Sequence, residues 1–191
     1  AQDELANLKR DLARMNMEHT QLLKAKAADE ILAKIETDLD FLMLTAPFAE
    51  DIMSYQYDDL KYMLAAFETG LSGVLNANDM GLGKTFEAAT LIHCLNHFFY
   101  KKHDRKPQIL WLTAPQLIEQ TVGEIHKWTP DADVMPIEGS WPKAQREMAA
   151  RMAIKRNAVV IANYEQMSTN EVIRSNEWDV IIADEVSKLK G

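Results

Sequence analysis

Apolar residues in the first 45 positions recur every three or four residues, with charged residues between them. This spacing predicts an amphipathic helix, because positions three and four apart share one helix face. The positions on this face are Leu5, Leu8, Leu12, Met15, His19 and Leu22, followed after a break at Lys26 by Ala28, Ile31 and Ile35. We expect a helical hairpin or short coiled coil, packed either on its own domain or on a partner. Thr45-Ala46-Pro47 interrupts the pattern, which predicts a helical extension over residues 1–45 and a domain over 46–191.

The pattern changes after a helical segment that begins at Ser54 and ends near Thr69-Gly70. Short apolar runs then alternate with helical spacing. The predicted strands are Val74–Ala77, Ile109–Thr113, Val134–Ile137, Ala158–Ala162 and Val180–Ala183, and the predicted helices are Lys84 to about Tyr100, Leu117–Trp128 and Lys143–Lys155. This alternation predicts an α/β domain with a parallel sheet. Uninterrupted apolar runs over 109–112 and 159–161 predict strands that are buried on both faces, as in a three-layer domain.

Composition limits the classes of protein that fit. The 191 residues include a single cysteine, Cys94, which excludes a disulfide within the chain and favours a reducing, intracellular compartment such as cytoplasm, nucleoid or nucleus. The sequence contains no apolar run long enough to cross a membrane. A net charge of −8 opposes a generally basic surface, so any nucleic acid would need a local basic patch or a segment outside this chain.

A glycine-rich segment lies between the strand predicted at 74–77 and a helical pattern. Its key residues are Gly81, Gly83, Lys84 and Thr85. In this context, backbone amides and the helix N-terminus bind phosphate, the lysine reaches the β and γ phosphates, and the threonine hydroxyl binds magnesium. Asn78 replaces the first glycine of the usual pattern, and the alternative is a glycine-rich turn that only begins a helix.

Two carboxylates, Asp184 and Glu185, directly follow the apolar strand predicted at Val180–Ala183. The carboxyl end of a strand in a doubly wound sheet lies beside the phosphate loop. There Asp184 can hold magnesium and Glu185 can polarise the attacking water, so Lys84, Asp184 and Glu185 are the predicted catalytic residues. The alternative is a pair of solvated acids at the end of a strand.

The segment A-N-D-M-G-L-G-K-T over residues 77–85 resembles motif I of the Swi/Snf-type DNA translocases of helicase superfamily two, with Asn78 in place of an acid. Upstream, Tyr55-Gln56 resembles the family's Tyr-Gln pair, whose glutamine reads the adenine edge. The nucleotide-binding residues that this resemblance implies are Gln56, Asp79, Met80, Gly81, Leu82, Gly83, Lys84 and Thr85, with ATP and Mg²⁺ as cofactors. The alternative for Gln56 is a surface glutamine that begins a helix.

Two further segments are similar to motifs Ia and Ib of this family. They are Leu112-Thr113-Ala114-Pro115 and Ala162-Asn163-Tyr164-Glu165. The resemblance implies that Thr113, Ala114, Pro115, Asn163 and Tyr164 lie along DNA phosphates, which positions DNA without reading its sequence. The alternative is a pair of ordinary strand-to-helix turns. The last motif reads D-E-V-S where the family has D-E-A-H, which leaves open how nucleotide state reaches the DNA-binding motifs.

The resemblance covers residues 50–190 and implies a RecA-like ATP-binding lobe of a DNA-dependent ATPase that translocates on or remodels DNA, expected to be duplex. Because the chain begins without methionine and stops soon after the acidic motif, we expect a fragment that lacks the second RecA-like lobe and hydrolyses ATP poorly alone. The alternative function is an ATP-gated interaction module that recruits a protein partner through residues 1–45. A P-loop kinase or transferase has less support.

Overall fold

The computed structural model describes residues 14–15, 26–70, 73–74 and 83–184. One parallel sheet contains four strands, β1 (Ile109–Thr113), β2 (Val134–Ile137), β3 (Val159–Asn163) and β4 (Val180–Ala183), in the order β2-β3-β1-β4. Leu112 at the centre lies opposite Ala162 of β3 and Ala183 of β4. The predicted parallel sheet is confirmed. Most of the amphipathic pattern over 5–22 and of the strand predicted at 74–77 lies outside the described residues.

The helices are α1 (helical over the described residues 26–43), α2 (Ser54–Glu68), α3 (Lys84–His103), α4 (Ile118–Trp128), α5 (Lys143–Lys155), α6 (Gln166–Thr169) and α7 (Glu171–Ser175). A 3₁₀ turn, Pro115–Leu117, precedes α4. Helices α6 and α7 occupy a connection for which the sequence predicted no element. Within the ranges given above, none of the helices has both the length and the apolar character needed to span a membrane.

Helices cover both faces of the sheet. On one face, Ala89 and Ile92 of α3 and Ile125 of α4 pack with Ile109 and Trp111 of β1. On the other face, a second buried cluster joins Leu110 and Leu112 of β1 to α5 and α7 through Ala150, Ala153 and Ile173. Alternate residues of β1 therefore point into different helical layers, as the uninterrupted apolar run predicted. The predicted three-layer arrangement is confirmed.

Helix α1 packs on α2 and α3. Its apolar positions Ile35, Leu39 and Leu42 are buried together with Leu60 and Leu64 of α2. The same cluster includes Cys94, Leu95 and Phe98 of α3 and Phe48 from the turns that follow α1. The described apolar face of α1 is thus part of the same core as the helices that begin at Ser54 and Lys84.

Leu39 tests how much this packing contributes to stability. Its side chain is 0% exposed, so we expect Leu39→Ala to lower the free energy of unfolding by about 2–5 kcal/mol through lost burial and a residual cavity. Leu44→Ala is the matched control, since that leucine is 76% exposed and should change stability by less than about 0.5 kcal/mol. Urea denaturation of both variants measures the difference, and equal losses would contradict the packing of α1.

His93 should make stability depend on pH. Burial lowers the pKa of this histidine, nearby His97 lowers it further, and Asp131 partly opposes them. Below the ordinary value of 6.5, the unfolded chain takes up a proton that the folded chain resists. The free energy of unfolding should therefore be highest above that pH and decline as the pH falls toward the lower pKa that His93 has in the folded chain. Urea denaturation between about pH 5 and pH 8 should show a weaker decline in His93→Gln, and an unchanged decline would contradict this assignment.

Candidate nucleotide-binding site

The carboxyl ends of the parallel strands bring several predicted site residues to one edge of the sheet. Thr113 at the end of β1 lies opposite Asn163 at the end of β3. On the other side of β1, Asp184 follows β4, and its backbone amide donates a hydrogen bond to the Leu112 carbonyl at 2.9 Å. Ligands of open α/β sheets bind at this edge. Three segments that are distant in sequence therefore meet where such a site is expected.

Helix α3 begins with Lys84 and Thr85, and Gly83 directly precedes it. Gly83 is the N-cap and has a φ of 84°, in the left-handed region that glycine adopts without strain. Only five residues separate the end of α3 from β1, and α3 packs along β1, so the helix runs from the carboxyl edge of the sheet to the opposite edge. Its N-terminus, which is the positive end of the helix dipole, is thereby directed toward the site edge.

Gln56 lies against the end of the glycine-rich segment. Its side chain is 5% exposed, and its Oε1 accepts a hydrogen bond from the Met53 amide at 3.1 Å, which caps the first turn of α2. A Cβ atom placed on Gly83 would lie 2.6 Å from the Nε2 of Gln56, so no larger residue fits there without a shift. Gln56 is thus buried beside the residue that begins α3, which excludes a surface glutamine.

Asp184 stands at the start of the acidic motif. It is half-buried directly after β4, and its carbonyl oxygen accepts a hydrogen bond from the Tyr164 hydroxyl. This contact ties the segment after β3 to the segment after β4. The predicted residues Asp79, Met80, Gly81, Leu82 and Glu185 lie outside the described part of the chain.

The described residues suit ATP and magnesium. A glycine N-cap in the left-handed region, a lysine and a threonine begin a 20-residue helix, and such a terminus binds phosphate. Magnesium is usually held by one or two carboxylates together with phosphate oxygens and water. Asp184 and the hydroxyl of Thr85 are oxygen donors of this kind. Among the residues that the structure describes, no group of three or more His, Cys, Asp or Glu side chains forms a metal site by itself.

The residues predicted to contact DNA differ in exposure. Thr113 and Asn163 are buried, and in the described ranges the Thr113 Oγ1 and the Asn163 Oδ1 have no hydrogen-bond partner. Ala114 is also buried, Tyr164 is half-buried and Pro115 is exposed. Buried polar atoms are normally hydrogen-bonded, so these two atoms are exceptions within the described part of the chain.

Some polar residues near this edge were not predicted from the sequence. Glu87 is a fully buried carboxylate three residues after Lys84, on the same side of α3. Gln166 is also fully buried; its Nε2 lacks a partner within the described chain, although its Oε1 accepts from Asn170 at 3.3 Å. The position of Glu87 three residues after Lys84 could have predicted that it lies on the same side of α3. No sequence pattern predicted the burial of Gln166, because the connection that contains it has no regular spacing of apolar residues.

Known proteins share this sequence pattern and fold. Mouse DNA excision repair protein ERCC-6-like is 28% identical over 98% of this chain, which spans 16% of that protein. The ISWI chromatin-remodeling complex ATPase ISW2 of Saccharomyces cerevisiae is 28% identical over 73% of this chain, or 12% of its own length. The solved Sulfolobus solfataricus SWI2/SNF2 ATPase core in complex with dsDNA resembles it in fold, with a TM-score of 0.56 and 20% identity over 72% of this chain and 26% of the other.

The likeness to that ATPase core confirms the predicted RecA-like arrangement. The chain spans a small part of the curated relatives that it matches, about one sixth of the mouse protein and one eighth of the yeast protein. The family of the matching region can nevertheless be stated, because a family model fits residues 55–191, well over half of the sequence. The chain belongs to the SNF2-related domain family.

Proposed function

We propose that this chain is the ATP-binding lobe of a DNA-dependent ATPase that translocates on or remodels DNA, with duplex DNA as its substrate. The observation that carries the proposal is the contact between Gln56 and Gly83. It combines an amide that can read a purine edge with a helix N-terminus that can bind phosphate. The order of motifs along the chain and the names of its relatives as ATPases and helicases support the same function.

Each nucleotide-site residue has a role in this proposal. Gln56 contacts the adenine edge, residues 79–83 surround the phosphates with backbone amides, and Lys84 neutralises the β and γ phosphates. Thr85 and Asp184 would hold magnesium, which would stabilise charge on the transferring phosphoryl group. Glu185 orients the attacking water. The half-buried position of Asp184 at the strand end supports its part in this set.

DNA is proposed to lie along the carboxyl edge of the sheet. Thr113, Ala114, Pro115, Asn163 and Tyr164 belong to the two segments that would face its phosphates. Pro115, at the start of the segment after β1, is exposed at this edge, which supports this position. Since the chain has a net charge of −8, much of the phosphate contact must come from backbone amides here and from basic residues elsewhere in the parent protein.

A second RecA-like lobe would complete the catalytic site. In two-lobed ATPases of this kind the second lobe supplies arginines that stabilise the transition state, a contribution worth about 10³–10⁵ in rate where it has been measured in related phosphoryl transfers. We therefore expect this chain alone to bind ATP weakly and to hydrolyse it very slowly. Robust turnover by the isolated chain would contradict the proposal.

The alternative is an ATP-gated interaction module that recruits a partner through residues 1–45. The burial of Ile35, Leu39 and Leu42 on α2 and α3 favours the ATPase lobe, because those side chains are already occupied within the chain. Phe41 and Leu44 are exposed and remain available to a partner. Relatives that are named for chromatin remodelling and DNA repair support an intracellular, nuclear or nucleoid location.

The test is ATP hydrolysis by the complete parent polypeptide, with and without duplex DNA. We expect strong stimulation by duplex DNA and its loss in Lys84→Ala. Lys102→Ala is the matched control, since this lysine lies at the other end of α3 and pairs with Glu68 at 3.1 Å. A hydrolysis rate that is indifferent to DNA would instead support the interaction module.

A further inference from the structure

Helix α1 contacts the turn of α2 that carries Gln56. The hydroxyl of Tyr57, the residue after Gln56, donates a hydrogen bond to Oδ1 of Asp40 on α1 at 2.5 Å. Burial raises the pKa of Tyr57, and the hydrogen bond to Asp40 and the charges of nearby carboxylates raise it further. The phenol therefore remains protonated and acts as a donor throughout the physiological pH range.

The surrounding packing keeps α1 in one register on α2. Leu39 beside Asp40 is buried in the same cluster as Leu60 of α2. One turn before Asp40, Glu36 accepts a hydrogen bond from the Lys61 ammonium at 3.3 Å. These contacts limit how far α1 can slide along α2, and Asp40 thereby keeps its position opposite the first turn of α2.

A helix whose first turn carries a ligand-binding residue, as α2 carries Gln56, needs additional contacts that hold this turn in place. The first amides of any helix have no carbonyl of an earlier turn to bond, and helix ends fray. Gln56 already uses Oε1 to cap this turn and lies with Nε2 against Gly83. Recognition of a base edge requires the amide to stay within about 0.5 Å of its productive position. Fraying of residues 54–57 would move Gln56 away from Gly83 without moving the helix that begins at Lys84.

We propose that Asp40 is a positioning residue for the nucleotide site, which through Tyr57 holds Gln56 beside Gly83 and thereby sets the affinity for the adenine base. This inference rests on the proposed function of the site. It makes the N-terminal helix part of base recognition, whereas the phosphate-binding residues at the start of α3 do not depend on it.

The test compares two ligands in the full chain, Mg-ATP and magnesium tripolyphosphate, which has the phosphates without the base. Loss of one hydrogen bond should lower the affinity for ATP by about two- to tenfold in Tyr57→Phe and Asp40→Ala. Affinity for tripolyphosphate should not change. Asp40→Asn should retain the affinity for ATP, because an amide oxygen still accepts the phenol proton. Isothermal titration calorimetry measures both affinities.

The matched control is Asp38→Asn on the same helix, which removes the ion pair of Asp38 with Lys101 at 2.9 Å but leaves Asp40 intact. Its affinity for both ligands should equal that of the wild type. Equal losses for ATP and tripolyphosphate in Tyr57→Phe, or no loss of ATP affinity, would overturn the positioning role alone. Wild-type chain that binds neither ligand would overturn the proposed nucleotide site itself, and this inference with it.

Discussion

Alanine at Gly83 should reduce the affinity for ATP by at least about tenfold, because the left-handed backbone alone costs an L-residue about 1–2 kcal/mol. The φ of 84° at the start of α3 is one cause. The other is space, since the new methyl group would lie 2.6 Å from the Gln56 amide. Gln56 is buried and caps α2, so it cannot move aside without losing its hydrogen bond to Met53. The substitution should therefore damage the phosphate and base sides of the site together.

Gly123→Ala is the control for this experiment. Gly123 lies within α4, and apart from the backbone of its own helix no described atom lies within 4 Å of the position its Cβ would take. Alanine there should stabilise the helix by about 0.5–1 kcal/mol and leave the affinity for ATP unchanged. Calorimetric titration with ATP and urea denaturation separate the two effects. If both variants bind ATP like the wild type, the assignment of Gly83 to the nucleotide site is wrong.

Asp184→Asn should lower ATP hydrolysis by the complete parent polypeptide by a factor of about 10² or more, because magnesium contributes several kcal/mol to the stabilisation of the transition state. ATP binding without magnesium should be nearly unchanged, since the lost carboxylate acts on the metal. The backbone contacts of Asp184 with Leu112 and Tyr164 do not involve its side chain and should persist. The measurement is the hydrolysis rate as a function of magnesium concentration.

Asp179→Asn is the control for the same strand. Asp179 stands before β4, where it pairs with Arg105 at 2.8 Å and accepts a hydrogen bond from the Gln108 amide at 2.7 Å. Its replacement should cost about 1 kcal/mol in stability, because asparagine keeps an oxygen that can accept from the Gln108 amide and only the partly exposed ion pair is lost, with little change in hydrolysis. Equal losses of hydrolysis in the two variants would show that β4 is merely destabilised.

The elements that the sequence predicted well are those with a strong pattern. The bounds of β1, β2, β4 and α5 agree with the predictions. Each strand is a short apolar run, and α5 is a long stretch of helix-forming residues without proline or glycine. Helix α3 continues three residues beyond the predicted Tyr100. Lys101 and Lys102 in that last turn pair with Asp38 and Glu68, and these partners are remote in sequence.

The residue types of the candidate site were proposed from motif and context, and their roles stay predictions. The contacts between them could not be predicted. The burial of Gln56 against Gly83, the hydrogen bond from Tyr164 to the Asp184 carbonyl and the bond between Asp40 and Tyr57 each join segments far apart in the chain. The spacing of residues within one segment cannot predict a contact with a segment far away in the sequence. Helices α6 and α7 were missed since four or five residues are too few to show a period.

The position of α1 bears on how the protein can be shortened. The family match begins at residue 55, but the core that includes Leu60, Leu64 and Phe98 is closed by Ile35, Leu39, Leu42 and Phe48. A polypeptide cut at the start of α2 would expose that apolar surface to water, and exposed apolar patches of this kind promote aggregation. Soluble expression of the lobe should therefore require the chain from about the start of α1, well upstream of the first family motif.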